Sequence, residues 1–221
     1  MKTLIFVRHG NTFKDGEIPT RVGCNTDLEL VEEKRSENAA RVIEQYGLRP
    51  TKIYSSPLKR TTGTARIILK TLKIYLPIVP LSIFSEIDYG LDENQPEDAV
   101  RFRLGKHYLA EEKHLEGASL EKILERGKTA IELWDTKAIP PAGWKVEPEK
   151  IITNLRNFAS EIEKNETVLV VSSNGIIRFV PHILNDYESA VKNIKLKVTT
   201  GGVCIFENEA GDWKLSCWNK E

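Results

Sequence analysis

The sequence contains few cysteines, and their positions follow no familiar pattern. Cys24, Cys204 and Cys217 are odd in number, and they lack the close spacing of zinc ligands. We therefore expect neither a disulfide framework nor a zinc site, and we predict that all three residues are reduced thiols. Internal repeats and low-complexity segments are also absent.

An excess of charge of either sign is missing too. The 32 lysines and arginines balance 32 aspartates and glutamates, so the formal net charge is zero. Such a chain has no overall field that would draw it onto nucleic acid or onto an anionic membrane surface. We therefore expect no nucleic acid and no membrane as partner, and any basic site must be local.

The sequence also lacks long apolar runs. No stretch approaches the roughly 20 residues of a membrane-spanning helix. The apolar run before Arg8 is too short for the core of a signal peptide, and we expect a cytoplasmic protein. With 221 residues, of which 40% are hydrophobic, the chain can nevertheless bury a sizeable core.

Among the features that are present, the first strand-like segment is the most informative. Residues 3–7 form an apolar, β-branched run that predicts a buried strand, and Arg8, His9 and Gly10 follow at its end. A guanidinium beside an imidazole, with a glycine that lets main-chain N–H groups approach a ligand, suits an oxyanion such as phosphate. On these residues alone, an ordinary surface turn is the more frequent outcome.

Strand-like and helix-like segments alternate along the rest of the chain. Further strands are predicted at 53–56, 78–84 and 167–171, helices at 39–46, 57–72, 120–134, 151–162 and 176–184, and a terminal β-hairpin at 198–206 and 213–218. Strands separated by helices indicate a mainly parallel sheet that is covered on both faces. We therefore predict an α/β fold, a three-layer α/β/α sandwich with a helical insertion and a C-terminal β-hairpin.

The segment from about 88 to 147 differs in character from its surroundings. It is rich in charge and carries one amphipathic helix, for which Ser119 is the predicted N-cap. We interpret the segment as an inserted helical cap within a single domain of residues 1–221. In parallel sheets ligands bind beyond the carboxyl ends of the strands, and this rule gathers four polar segments at one edge: 8–10, 55–60, 85–86 and 172–175.

These four segments resemble, in the same order, the motifs of the histidine phosphatase superfamily, whose members have the phosphoglycerate-mutase-like fold. Arg8-His9-Gly10 matches the signature of that family, and Ser55–Arg60 with Thr64-Ala65 is similar to its second-strand motif. Glu86–Gly90 is similar to its acid motif, and Val170–Arg178 is similar to its last motif. The resemblance covers nearly the whole chain.

The resemblance implies a metal-independent phosphomonoesterase that needs no cofactor and acts on a small phosphorylated substrate. His9 would be the nucleophile and would form a phosphohistidine. Glu86 would be the general acid, with Asp88 and Glu93 as open alternatives. The residues implied to bind the phosphate are Arg8, Arg60, Gly10, Asn11, Thr12 and Ser173.

One departure from the family pattern concerns its second catalytic histidine. Ser173 stands at that position, and Asn174 replaces the neighbouring glycine. A serine hydroxyl can donate one hydrogen bond but carries no positive charge, and the loss of such a donor costs on the order of a hundred- to a thousandfold in rate. We therefore predict a slowed phosphatase. A phospho-ligand-binding module without turnover and, third, a phosphoglycerate mutase stay open as alternatives.

Overall fold

The computed structural model describes residues 1–221 and contains one six-stranded sheet. The strands are β1 (Lys2–Arg8), β2 (Lys52–Ser55), β3 (Ile78–Pro80), β4 (Thr167–Ser172), β5 (Val203–Glu209) and β6 (Asp212–Lys220). The helices are α1 (Lys34–Gln45), α2 (Lys59–Leu72), α3 (Glu97–Glu111), α4 (Leu120–Lys137), α5 (Pro148–Ser160), α6 (Asn174–Ile177) and α7 (Tyr187–Val191). The predicted α/β fold with a C-terminal hairpin is confirmed.

The order of the strands in the sheet is β3-β2-β4-β1-β5-β6. The first four of these run parallel, whereas β5 and β6 form an antiparallel hairpin beside β1. Parallel neighbours need crossover connections, and the helices between the strands supply them. Because β1 and β4 pair in parallel, their carboxyl ends lie at the same edge of the sheet, with Arg8 opposite Ser172.

The two faces of the sheet pack against different helices because alternate side chains of a strand point in opposite directions. Ile5 and Val7 belong to an apolar cluster that includes buried residues of α1 and α2. On the other face, the ring of Phe6 lies 5.9 Å from that of Phe84, which in turn lies 5.0 Å from the ring of Phe158 in α5. The result is the three-layer arrangement of helix, sheet and helix.

The helix predicted at 39–46 begins earlier, at Lys34, and three further predicted elements differ from the structure. The strand predicted at 78–84 ends at Pro80, and a 3₁₀ turn at Ser82–Phe84 follows it. The helix predicted at 176–184 is divided into α6 and a 3₁₀ turn at Val180–Ile183, because Pro181 has no N–H with which to continue an α-helix. The hairpin strand predicted from 198 begins only at Val203, since Gly201 takes a left-handed conformation with φ of 79°.

The chain forms two compact units. One comprises residues 1–14, 27–86 and 147–221, and the other comprises residues 15–26 and 87–146. We retain one domain with an inserted cap as our interpretation of this division. Ser119 caps α4 as predicted, since its Oγ accepts a hydrogen bond from the Lys122 N–H at 3.2 Å.

The second unit contains α3, which the sequence analysis did not predict. Helices α3 and α4 pack closely because they meet at glycines. A Cβ on Gly105 would overlap the Ile123 carbonyl, and a Cβ on Gly127 would overlap the Arg101 carbonyl. Both positions therefore require glycine.

A buried carboxylate also organises the second unit. Asp92 is 1% exposed and accepts two hydrogen bonds from Arg103, at 2.6 and 2.5 Å. It accepts a third from the indole N–H of Trp144 at 2.7 Å. These bonds hold Asp92, Arg103 and Trp144 together as one structural cluster.

No helix combines the length and the apolar composition that a membrane crossing requires. The cytoplasmic location stays a prediction from the sequence.

Candidate active site

His9 follows directly after β1, at the carboxyl edge of the sheet. Its N–H donates to the Ser172 carbonyl at 3.0 Å, so that the residue stays beside the end of β4. Its ring Nδ1 lies 2.8 Å from the Gly10 carbonyl oxygen. Because a carbonyl oxygen only accepts, this contact places the proton on Nδ1 and leaves the lone pair of the neutral ring on Nε2.

Burial is the main cause that holds the pKa of His9 well below its ordinary value of 6.5. The positive charges of Arg8 and Arg60 lower this pKa further, whereas the Gly10 carbonyl acts in the opposite direction. The His9 ring is therefore neutral at pH 7. A neutral imidazole with its lone pair on Nε2 is able to act as a nucleophile.

Arg60 lies in the first turn of α2 and is fully buried. The chain before it is fixed by hydroxyl groups: Ser56 Oγ accepts from the Leu58 N–H at 3.3 Å and lies 2.6 Å from Thr61 Oγ1. The Ser56 N–H in turn donates to the Val171 carbonyl at 3.1 Å, which ties this turn to β4. A fixed guanidinium thus lies close enough to His9 to lower the pKa of its ring.

Gly10 connects the loop after β1 to α2. Its N–H donates to Thr64 Oγ1 at 2.9 Å, and the Thr64 hydroxyl donates to the Arg60 carbonyl at 2.9 Å. Both main-chain groups of Gly10 therefore bond within the protein, one to Thr64 and the other to the His9 ring. The phosphate contact that the sequence analysis assigned to Gly10 stays a prediction.

Glu86 and Ser173 both lie at the loop that follows β4. Glu86 is 6% exposed, and its Oε2 accepts from the Gly175 N–H at 3.3 Å. Ser173 is fully buried, and its Oγ has no hydrogen-bond partner in the protein. Buried polar atoms nearly always have a partner, so the Ser173 hydroxyl is available to bond a ligand or a water molecule.

Asn11 and Thr12 continue the loop after His9, and both are partly exposed. Asn11 is held at two points, since its carbonyl accepts from the Val31 N–H at 3.0 Å and its Oδ1 accepts from the Thr200 hydroxyl at 2.6 Å. With Oδ1 occupied in this way, the amide NH₂ of Asn11 faces away from Thr200.

The two alternative acids, Asp88 and Glu93, belong to the second unit. Asp88 accepts from Lys145 Nζ at 2.8 Å, and this bond is the main cause that lowers the pKa of its carboxyl group. Glu93 Oε1 accepts from the Gly23 N–H at 2.9 Å and from the Thr26 hydroxyl at 2.6 Å. Both carboxylates are thus engaged within that unit.

One segment at the site was missed by the sequence analysis. Residues 198–202, which we call the positioning segment, contact the end of β1. Arg8 Nη1 donates to the Val198 carbonyl at 2.6 Å, and the Gly201 N–H donates to the Arg8 carbonyl at 3.0 Å. These bonds use main-chain groups, which leave no side-chain signature, and the Gly201-Gly202 pair was the one available signal.

Known proteins similar to this chain include both mutases and phosphatases. A 2,3-bisphosphoglycerate-dependent phosphoglycerate mutase of Corynebacterium jeikeium is 28% identical over 200 residues, which cover 86% of this chain and 66% of the mutase. The chain thus spans slightly less than two thirds of that relative's length.

Solved structures show the same fold at lower identity. A phosphoserine phosphatase from Entamoeba histolytica, in complex with 3-phosphoglyceric acid, superposes with a TM-score of 0.65 at 18% identity, over 100% of this chain and 98% of that one. A phosphoglycerate mutase from Bacillus anthracis superposes with a TM-score of 0.70 at 20% identity, over 99% and 93% of the two chains.

A family model described as the histidine phosphatase superfamily (branch 1) matches residues 4–221, nearly the whole chain. The match includes the loop after β1, the start of α2 and the loop after β4, which the fold brings to one edge of the sheet. The chain therefore belongs to the histidine phosphatase superfamily, branch 1.

Proposed function

We propose that this protein is a metal-independent phosphomonoesterase that hydrolyses a small phosphate ester through a phosphohistidine on His9. The observation that carries the proposal is the state of the His9 ring. Its proton is fixed on Nδ1 by the Gly10 carbonyl, its charge is suppressed by burial and by Arg8 and Arg60, and Nε2 keeps its lone pair.

In the first step, His9 Nε2 attacks the phosphorus, and the bond between phosphorus and the ester oxygen breaks. The leaving oxygen takes a proton from Glu86. In the second step the Glu86 carboxylate accepts a proton from water, whose oxygen attacks the phosphohistidine. The bond between phosphorus and nitrogen then breaks, which releases phosphate and restores the neutral ring.

Arg8 and Arg60 would bind the non-bridging oxygens throughout both steps. Catalysis of phosphoryl transfer consists mostly of positioning and of stabilising negative charge. Two guanidinium groups supply that charge, and the Arg60 group is fixed by its burial. Asn11 and Thr12 are proposed as further contacts to the same oxygens.

Glu86 is favoured over the two other carboxylates as the general acid. It lies in the same compact unit as His9 and contacts the loop after β4. Asp88 is bonded to Lys145, which stabilises its charged form and makes it a poor proton donor near pH 7. Glu93 is engaged by Gly23 and Thr26.

Ser173 is proposed as the group that stands in for the second histidine of the family. Its buried, unpaired Oγ can donate one hydrogen bond to a phosphate oxygen. It brings no positive charge, so the enzyme is expected to be slower than a relative with histidine, on the order of a hundred- to a thousandfold.

The test is the hydrolysis of para-nitrophenyl phosphate, with a metal chelator present, by wild type, His9→Ala and Ser173→His. We expect chelator-resistant turnover in the wild type, no turnover above background in His9→Ala, and a higher kcat in Ser173→His. Equal rates for wild type and His9→Ala would contradict the proposal.

Two alternatives predict different results in two further assays, phosphoglycerate conversion and phosphate binding. The 28% identity to a bisphosphoglycerate-dependent mutase favours a mutase, which would convert phosphoglycerate only when a bisphosphate primer is supplied. A binding module, which the serine at position 173 favours, would lose little phosphate affinity in His9→Ala and much in Arg60→Ala.

A further inference from the structure

The positioning segment, residues 198–202, holds two candidate anion-binding side chains. Arg8 Nη1 donates to the Val198 carbonyl at 2.6 Å, and the Thr200 hydroxyl donates to Asn11 Oδ1 at 2.6 Å. The orientations of Arg8 and Asn11 thus depend on where this segment lies. The end of the segment, at Gly201 and Gly202, is bonded to the main chain of Arg8, whereas Val198 at its start is not paired in the sheet.

Asn174 supplies one of two side-chain contacts to the start of this segment; in the other, Asn219 Oδ1 accepts from the Thr199 N–H at 2.8 Å. The side-chain Oδ1 of Asn174 accepts from the Val198 N–H at 2.8 Å. Asn174 is 8% exposed and Val198 is fully buried, so water has little access to this bond. The amide therefore holds the residue whose carbonyl binds the Arg8 guanidinium.

We infer that Asn174 is a positioning residue that orients the Arg8 guanidinium through the main chain of Val198. A guanidinium is planar and has five N–H donors in a fixed arrangement, so one bond to the Val198 carbonyl restricts the directions of the others. The inference rests on the proposed anion site at Arg8, and it assigns Asn174 no part in bond making or breaking.

The resemblance to the last motif of the family predicts a different residue at position 174. A glycine usually stands beside the second histidine, and a glycine has no side chain that could reach Val198. Here the histidine and the glycine are both replaced, by Ser173 and Asn174. Asn174 thus adds a side-chain contact to Val198 that a glycine at this position could not make.

The experiment measures the affinity for inorganic phosphate by titration calorimetry, together with kcat and KM for para-nitrophenyl phosphate. The variants are Asn174→Ala and Asn174→Gly, the second of which carries the residue of the family pattern. Asn208→Ala is the matched control, since Asn208 is also buried but pairs with Lys2 at the opposite end of β1.

We expect Asn174→Ala and Asn174→Gly to weaken phosphate binding about tenfold, the effect of one lost hydrogen bond. KM is expected to rise by a similar factor with a smaller change in kcat, because binding to the ground state and to the transition state is lost equally. In an Arg8→Gln background, Asn174→Ala is expected to have no further effect on phosphate affinity.

Unchanged phosphate affinity in both Asn174 variants would overturn the inference, as would additive effects of Asn174→Ala and Arg8→Gln. A loss of stability without loss of affinity would mean that Asn174 is merely structural. The proposed function fails separately: a wild type that binds phosphate but hydrolyses no ester would refute the phosphatase and leave the role of Asn174 intact.

Discussion

Thr64→Val is the substitution that most directly probes the link between α2 and the loop of His9. The Thr64 hydroxyl accepts from the Gly10 N–H at 2.9 Å, and Gly10 in turn binds the His9 ring through its carbonyl. Valine has the same shape, so the packing is kept while the hydrogen bond is lost. The Gly10 N–H is then left without its acceptor in a buried position.

The magnitude follows from the burial of both groups. Leaving a buried N–H unpaired costs about 1–3 kcal/mol of unfolding free energy. With a urea dependence of about 2 kcal/mol per molar, a loss of 2 kcal/mol lowers the unfolding midpoint by about 1 M. Because His9, the proposed nucleophile, would be misplaced, kcat/KM is expected to fall on the order of a hundredfold.

Urea unfolding and ester hydrolysis measure the two effects on the same samples. Thr71→Val is the matched control, because it makes the same change in the same helix, where the hydroxyl only donates to the Ile67 carbonyl. Thr64→Ser keeps the hydroxyl and is expected to retain most of the activity. If Thr64→Val resembles Thr71→Val in both stability and kcat/KM, the proposed link is wrong.

The remaining predictions concern pH, the second unit and the thiols. Because the pKa of His9 is lowered in the folded state, stability falls as pH drops through the ordinary value of 6.5 toward the folded value. His9→Gln is expected to lose less stability than wild type between pH 7.5 and 5.5, and equal losses would contradict the buried neutral ring. Asp92→Ala leaves a guanidinium and an indole N–H unpaired, and urea unfolding should show a loss of about 2–3 kcal/mol. Iodoacetamide should modify the half-buried Cys24 well before Cys204, because burial raises the pKa of the Cys204 thiol. Mass spectrometry measures the order of labelling, and faster labelling of Cys204 would contradict its burial.

The parts of the fold that the sequence predicts are those with a strong local pattern. The apolar run before Arg8 and the apolar face of α4 were both clear from spacing alone. Helix α3 was missed because its buried residues, which include Val100 and Leu104, are few and lie among charged neighbours. Gly105 and Gly127 let α3 and α4 approach closely, and such a tertiary contact is not visible in one segment.

In the candidate site, too, the sequence predicts the local features and not the contacts between distant residues. Side chains with distinctive chemistry, such as those of His9 and Arg60, could be named from the sequence because the family motif contains them. The contacts that fix the tautomer of His9 and the orientation of Arg8 come from the carbonyls of Gly10 and Val198. Every residue has a carbonyl, so only the folded chain indicates which ones matter.

The most direct test of the proposed mechanism is to trap the phosphorylated enzyme. Wild type and His9→Gln would be mixed with excess para-nitrophenyl phosphate, quenched within milliseconds and digested for mass spectrometry. We predict one phosphate on the peptide that contains His9, which acid removes and alkali does not, and no phosphopeptide from His9→Gln. Ester hydrolysis by the wild type without phosphate on His9, or undiminished turnover by His9→Gln, would contradict the phosphohistidine route.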